Sequence, residues 1–156
     1  MKKIFVLLLL ISSFSHAQLN NSWIDYTKTY YKFRLAKDTL CRIPQTTLAA
    51  AGLSNINADH FQIWRNGVEV RLYTSVTNGT LTSNDFIEFF GEMNDGKSDN
   101  QLYRNSDFQL ANRYSLETDT ASYFLTVNAA SVNLRYTDAV NSAPAAITPD
   151  AYFRSE

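Results

Sequence analysis

One cysteine and one histidine of the mature region could form a nucleophile and base. Cys41 and His60 would make a thiolate–imidazolium dyad if the fold brought them together. No third orienting group or oxyanion motif accompanies them. Cys41 alternates with Ile43 in a strand-like run, which reads as a small buried hydrophobe, and His60 reads as a loop or surface imidazole. The chain contains no GxSxG, HExxH or P-loop pattern. The better cluster is acidic. Glu92, Asp95 and Asp99 share the run GEMNDGKSDN with Asn94 and Asn100, and Asp95-Gly96 can turn tightly. Calcium wants several oxygens converging on one point. The spacing is not that of an EF-hand, and Lys97 sits inside the cluster, so the run reads as a solvated turn that binds calcium weakly or not at all. Asp85 and Glu88 could pair as acid and base, but on a strand they point to opposite faces. Five aromatics, Trp23, Tyr26, Tyr30, Trp64 and Tyr73, could build a platform that stacks on sugars, or could belong to the core or to an interface. No catalytic residue, cofactor or metal is expected from these residues.

The elements that would position these side chains read as strands. Phe61 to Tyr73, FQIWRNGVEVRLY, holds two alternating runs around Asn66-Gly67, the dipeptide of a two-residue type I′ turn. With that turn fixed, Trp64 opposes Glu69, Ile63 opposes Val70, Gln62 opposes Arg71 and Phe61 opposes Leu72. One face then carries Phe61, Ile63, Val70 and Leu72. The other carries Trp64, Gln62, Glu69 and Arg71, a mixed polar-aromatic surface suited to contact with another domain. Tyr31, Phe33 and Leu35 alternate with Lys32 and Arg34. A turn at Lys37-Asp38-Thr39 would return the chain as a second hairpin through Leu40 to Ile43. Pro44 and Thr46 to Ala51 predict a short helix near 45–51, with Gly52 as its stop. Asp85 to Phe90, apolar on both faces, predicts a central strand in which Glu88 needs a partner or a strand end. Tyr123 to Val127 predicts another strand. Asn20 to Thr29 reads as a first strand or an ordered arm, and Tyr114 to Thr118 and Leu134 to Thr137 as short strands. The fold class is mainly β: an antiparallel, sandwich-like domain with one short helix.

The N-terminus has a separate character. Lys2 and Lys3 precede an unbroken apolar run from Ile4 to Ile11, and Ser15-His16-Ala17 places small residues where signal peptidase reads them. Residues 1–17 are therefore expected to be a secretory signal, cleaved between Ala17 and Gln18. The run is too short to span a bilayer, which takes roughly 20 residues. Cleavage leaves 139 of the 156 residues, with 12 basic against 15 acidic side chains, a net charge of about −3. That balance gives no footprint for nucleic acid. A lone cysteine excludes an internal disulfide, so the domain depends on packing. Residues 18–138 form the β domain. The Ala- and Pro-containing run within 139–156 reads as a linker leading to a further domain.

Four blocks in order, YYKFRLAKDTLCRIPQTTLAAAG, HFQIWRNGVEV, NDFIEFFGEMNDGKSDNQLY and SYFLTVN, resemble the N-terminal region of PorU-like proteins. These are type IX secretion sortases of Bacteroidetes, related to gingipain cysteine peptidases. The resemblance covers about Trp23 to Tyr136. It implies a non-catalytic, prodomain-like β module of an exported protein, ahead of a caspase-like peptidase domain, with outer-membrane components of type IX secretion as further partners. The family's catalytic His and Cys lie in that later domain, and no stretch here matches their motifs. A carbohydrate-binding or adhesion module is the alternative.

Overall fold

The computed structural model describes residues 21–110, 113–130 and 132–140. Among the described residues seven strands form two antiparallel sheets. They are β1 (Tyr31–Leu35), β2 (Thr39–Pro44), β3 (Phe61–Arg65), β4 (Val68–Val70), β5 (Tyr73–Thr74), β6 (Phe86–Gly91) and β7 (Ala121–Val127). The first sheet has the order β1-β7-β3-β4 and the second β2-β6-β5. Helix α1 (Gln45–Ala50) follows β2 directly. The signal segment, Ala17 and Gln18, and nearly all of the linker lie outside the described residues.

The hairpin at Asn66-Gly67 forms as its turn chemistry requires. Asn66 has φ 49° and Gly67 φ 77°, and the register joins Ile63 to Val70 and Trp64 to Glu69. Pairing ends there, two residues earlier than the alternation predicts. Leu72 instead donates its N–H to the Leu134 carbonyl (3.2 Å) and accepts from Tyr136 N–H (2.9 Å), and Tyr73 enters the second sheet beside Glu88. The expected last strand at Leu134–Thr137 is thus a single parallel bridge between Leu72 and Arg135.

The second expected hairpin does not form. β1 pairs with β7, and β2 with β6, so the turn at Lys37-Asp38 is a corner between sheets. A tight hairpin needs positive φ at its centre. Among the described non-glycine residues only Asn66 has it. The Asp38 carboxylate accepts Met93 N–H (2.7 Å), and Gly91 lies so close under Leu35 that a Cβ there would collide with it. Helix α1 ends as predicted: Gly52 takes φ 84°, its N–H reaches Ala49 O (2.9 Å), and Leu53 N–H reaches Leu48 O (2.9 Å). That is the paired hydrogen-bond pattern of a Schellman stop.

The core lies between the sheets. Phe61 and Ile63 of β3, Tyr123 and Leu125 of β7, and Ile87 and Phe89 of β6 are buried. Phe33 stacks on Tyr123 (5.6 Å, 20°), and Phe89 packs against both rings. The Tyr123 hydroxyl accepts Glu92 N–H (2.7 Å) and donates to Glu92 O (2.8 Å), fastening the first sheet to the end of β6. Burial raises its pKa above the usual tyrosine value.

Candidate functional site

The residues singled out for chemistry are not brought together. Cys41 lies on β2 in the second sheet and packs against the core, and burial pushes its thiol pKa up, the direction opposite to an activated nucleophile. His60 precedes β3 in the first sheet and lies 3.5 Å from the Asp59 carboxylate. No hydrogen bond joins it to Cys41. The acidic run is likewise divided. Glu92 pairs with Arg65 (3.1 Å), Asp95 with Lys97 (2.8 Å), and Asp99 accepts the Ser115 hydroxyl. Among the described residues no three His, Cys, Asp or Glu side chains gather to hold a metal ion. Glu88 has its partner: Arg42 Nε lies 2.7 Å from its Oε2.

The polar-aromatic face of the Asn66-Gly67 hairpin is covered in part by the chain itself, over Gln62 and Trp64, while Arg71 stays exposed. Residues 21–29 are an ordered arm, the second of the two readings open to them, and they lie across the outside of the first sheet. Trp23 stacks on Trp64 (5.5 Å, 30°) and also meets Tyr30 and Phe124. Thr126 Oγ donates to the Thr29 carbonyl (2.8 Å), and Gly67 leaves room for the Trp23 ring, which a Cβ there would crowd. Gln62, expected on an open surface, is 5% exposed, and Trp64 is half-buried. Glu69 accepts Leu134 N–H (2.7 Å), and Arg71 donates to the Arg135 carbonyl (3.1 Å). Of the five candidate platform aromatics, Trp23, Tyr30 and Trp64 meet. Tyr26 stands in solvent, and Tyr73 lies on the other sheet.

The outside of the second sheet is open. β2, β6 and β5 present Leu40, Arg42, Phe86, Glu88, Phe90 and Tyr73 on that face, as the register shows by pairing Leu40 with Phe90, Arg42 with Glu88 and Tyr73 with Glu88. Leu40 is 61%, Phe90 50% and Tyr73 44% exposed. The Arg42 guanidinium lies 3.7 Å from the centre of the Phe86 ring, with Tyr73 beyond it at 6.1 Å. A cation over an aromatic face, flanked by apolar groups, makes a surface compatible both with water and with a protein partner. The alternation in Asp85–Phe90 carried this signal. β6 is the central strand of its sheet, as expected, with one of its two apolar faces in the core and the other turned outward.

A lobe formed by residues 92–110 and 113–118 adjoins the sandwich. Its base is polar. Arg65 Nη2 donates to Met93 O (2.7 Å), Asn94 Nδ2 to Thr118 O (2.9 Å), and Gln109 Nε2 to Gly96 O (2.7 Å). Gly96 adopts φ 74° with the Tyr114 carbonyl where a Cβ would stand. The short strand expected at Tyr114–Thr118 is a turn instead, because the Ser115 hydroxyl accepts the N–H groups of Glu117 and Thr118 (3.2 Å each).

No helix among the described residues is long and apolar enough to cross a membrane. No family model, curated protein or solved structure matches the chain.

Proposed function

We propose that this chain is the non-catalytic N-terminal accessory module of an exported PorU-like, gingipain-type cysteine peptidase or sortase linked to type IX secretion. In this reading the mature protein begins at Gln18, acts in the periplasm, at the outer-membrane surface or outside the cell, and docks on a peptidase domain of the same polypeptide. The resemblance of four ordered blocks motivates it. One structural observation supports the docking: the outer face of the second sheet exposes Leu40, Phe90 and Tyr73, whereas the outer face of the first sheet is covered by the protein's own arm. Contiguous apolar surface on a folded domain marks a contact site. The alternative of a carbohydrate-binding module draws less support, because the Trp23 and Trp64 rings stack on each other instead of on an open platform.

The test is capture of the separately expressed peptidase domain by this module. Leu40→Ser with Phe90→Ser is expected to lower capture at least tenfold and leave the circular-dichroism spectrum unchanged. Undiminished capture by the double variant would reject the second-sheet face as the docking surface.

A further inference from the structure

The two sheets end in the edge strands β1, β4, β2 and β5. A free edge offers unpaired N–H and C=O groups to any other strand, and folded domains guard it with charge, shortness or cover. β1 carries the exposed Lys32 and Arg34. β4 is three residues long, and its Glu69 carboxylate is taken up by Leu134 N–H. β5 is two residues long, and Leu134 and Tyr136 bond to Leu72 just before it. β2 has none of these guards. It is six residues long, carries Leu40, Cys41 and Ile43, and no strand among the described residues pairs with its free side. Its one charged side chain, Arg42, is held by Glu88 (2.7 Å) over the Phe86 ring. The ladder shows which groups are free. Gln45 N–H donates to Asp85 O (2.9 Å), which makes 45 and 85 a hydrogen-bonded pair in the β2–β6 register. Such pairs alternate along an antiparallel ladder, so Thr39, Cys41 and Ile43 bond to β6, while Leu40 and Arg42 aim their N–H and C=O groups at the free edge. On the other side of β6, Ser75 N–H donates to Phe86 O (3.1 Å), so Phe86 and Glu88 bond toward β5, as the same alternation requires. Leu40 O meets the Thr39 hydroxyl at 3.3 Å, a contact that leaves its second lone pair open.

We propose that β2 pairs antiparallel with β2 of a second copy of this chain, about a two-fold axis through Cys41. That register sets Leu40 opposite the second copy's Arg42, and both residues of both copies exchange their free N–H and C=O groups. A register centred on Arg42 would oppose two guanidinium groups and present Pro44, which has no N–H. One centred on Leu40 would set Arg42 opposite Asp38, beyond the start of β2 at the corner between sheets. With Cys41 at the centre, a row on the outer face runs from Phe90 and Leu40 to the second copy's Arg42 and Glu88. The aliphatic stem of Arg42 packs beside leucine there, and its charge stays with Glu88. A second copy fits better than a foreign strand because the same two residues supply both halves of the pairing, as a two-fold interface requires. The contact runs along an edge and leaves the outer face of the second sheet open, so it does not depend on what docks there.

The test is sedimentation equilibrium and amide hydrogen exchange of the whole chain at rising concentration. A dimer is expected in which the Leu40 and Arg42 amides exchange at least about tenfold more slowly than in the monomer. Leu40→Pro removes an edge-facing N–H that the β2–β6 ladder does not use, so it should weaken the dimer at least about tenfold and leave the circular-dichroism spectrum unchanged. If Leu40→Pro fails to fold, Leu40→Lys serves, with the same loss expected from a charge set on the edge. In a mixture of isotope-labelled and unlabelled chains, the Leu40 methyls should contact Arg42 across the two copies. A monomer at every soluble concentration overturns the proposal. So does a dimer whose Leu40 and Arg42 amides exchange at the monomer's rate, or one that Leu40→Lys leaves intact. Contacts between Leu40 and Leu40 across the copies would overturn the register.

Discussion

The two outer faces of this sandwich are built from similar materials and have opposite fates. On the first sheet Trp64 and Phe124 face outward, and the chain brings Trp23 back to cover them. On the second, Phe86, Phe90 and Leu40 face outward, and Arg42 lies over the Phe86 ring. Among the described residues one apolar face is closed by the chain's own arm and the other stays exposed. The lesson concerns pattern reading: alternation shows which residues share a face, but not whether the chain itself returns to cover that face.

The comparison can be broken first within β6, where neighbouring residues point to opposite sides. Phe89→Ala is expected to cost about 3–5 kcal/mol in urea unfolding, because the ring is fully buried against Phe33 and Tyr123. Phe90→Ser should cost within about 0.5–1 kcal/mol. Equal costs would mean that the outer face of the second sheet is covered in solution.

On the closed face, Trp64→Ala should cost about 2–3 kcal/mol, since it removes the ring on which Trp23 stacks. Trp23 fluorescence should shift to the red as the arm loses its seat. A variant with unchanged stability and unchanged fluorescence would show that the arm does not lie there.

Next in size is Arg135. Its Nη2 donates to the carbonyls of Ala58 (3.1 Å), Asp59 (2.6 Å) and Phe61 (2.8 Å), holding the turn that leads into β3. Burial lowers its pKa. Arg135→Ala is expected to cost about 1–3 kcal/mol by removing the donor shared by those carbonyls, of which Asp59 O keeps the Asn133 Nδ2 donor (2.8 Å). Arg135→Lys should recover only part of the loss, because an ammonium cannot reproduce the planar fork.

The smallest effect is one of pH. Hydrogen bonds from Thr82, side chain first and then backbone, and from Ser75 hold the Asp85 carboxyl below its ordinary pKa of 3.8. A depressed carboxylate pKa contributes stability that is present above the unfolded-state value and is lost as pH falls through the folded one. Asp85→Asn should therefore lower stability modestly at neutral pH, flatten the stability–pH curve below about pH 4, and approach the parent chain's stability at the acid end. An unaltered acid limb would show that the Asp85 contacts carry no linkage.

Much of the fold was legible because it rests on local constraints. Asn66-Gly67 dictates a turn that few other residues can make, Gly52 ends a helix for the same reason, and the alternation in β6 and β7 marks which side is core. The corner at Lys37-Asp38 was misread because pairing partners are chosen by whole strands: β7 and β6 are long, apolar and distant in sequence, and an intervening turn without positive φ cannot hold β1 to β2. The cover over Trp64 was not legible, since it depends on where a separate arm comes to lie. Arg135 and the Asp99–Ser115 pair were missed for the same reason, because their hydrogen-bond partners lie far away in the chain.

Hydroxyl-radical footprinting of the chain alone and with the peptidase domain tests the division of surfaces most directly, because it reports side-chain exposure residue by residue. Docking on the open face predicts that oxidation of Leu40, Tyr73 and Phe90 falls on binding while Trp23 and Tyr26 react as before. Protection of Trp23 and Tyr26 with Phe90 still reactive would contradict the account and return the contact to the first sheet.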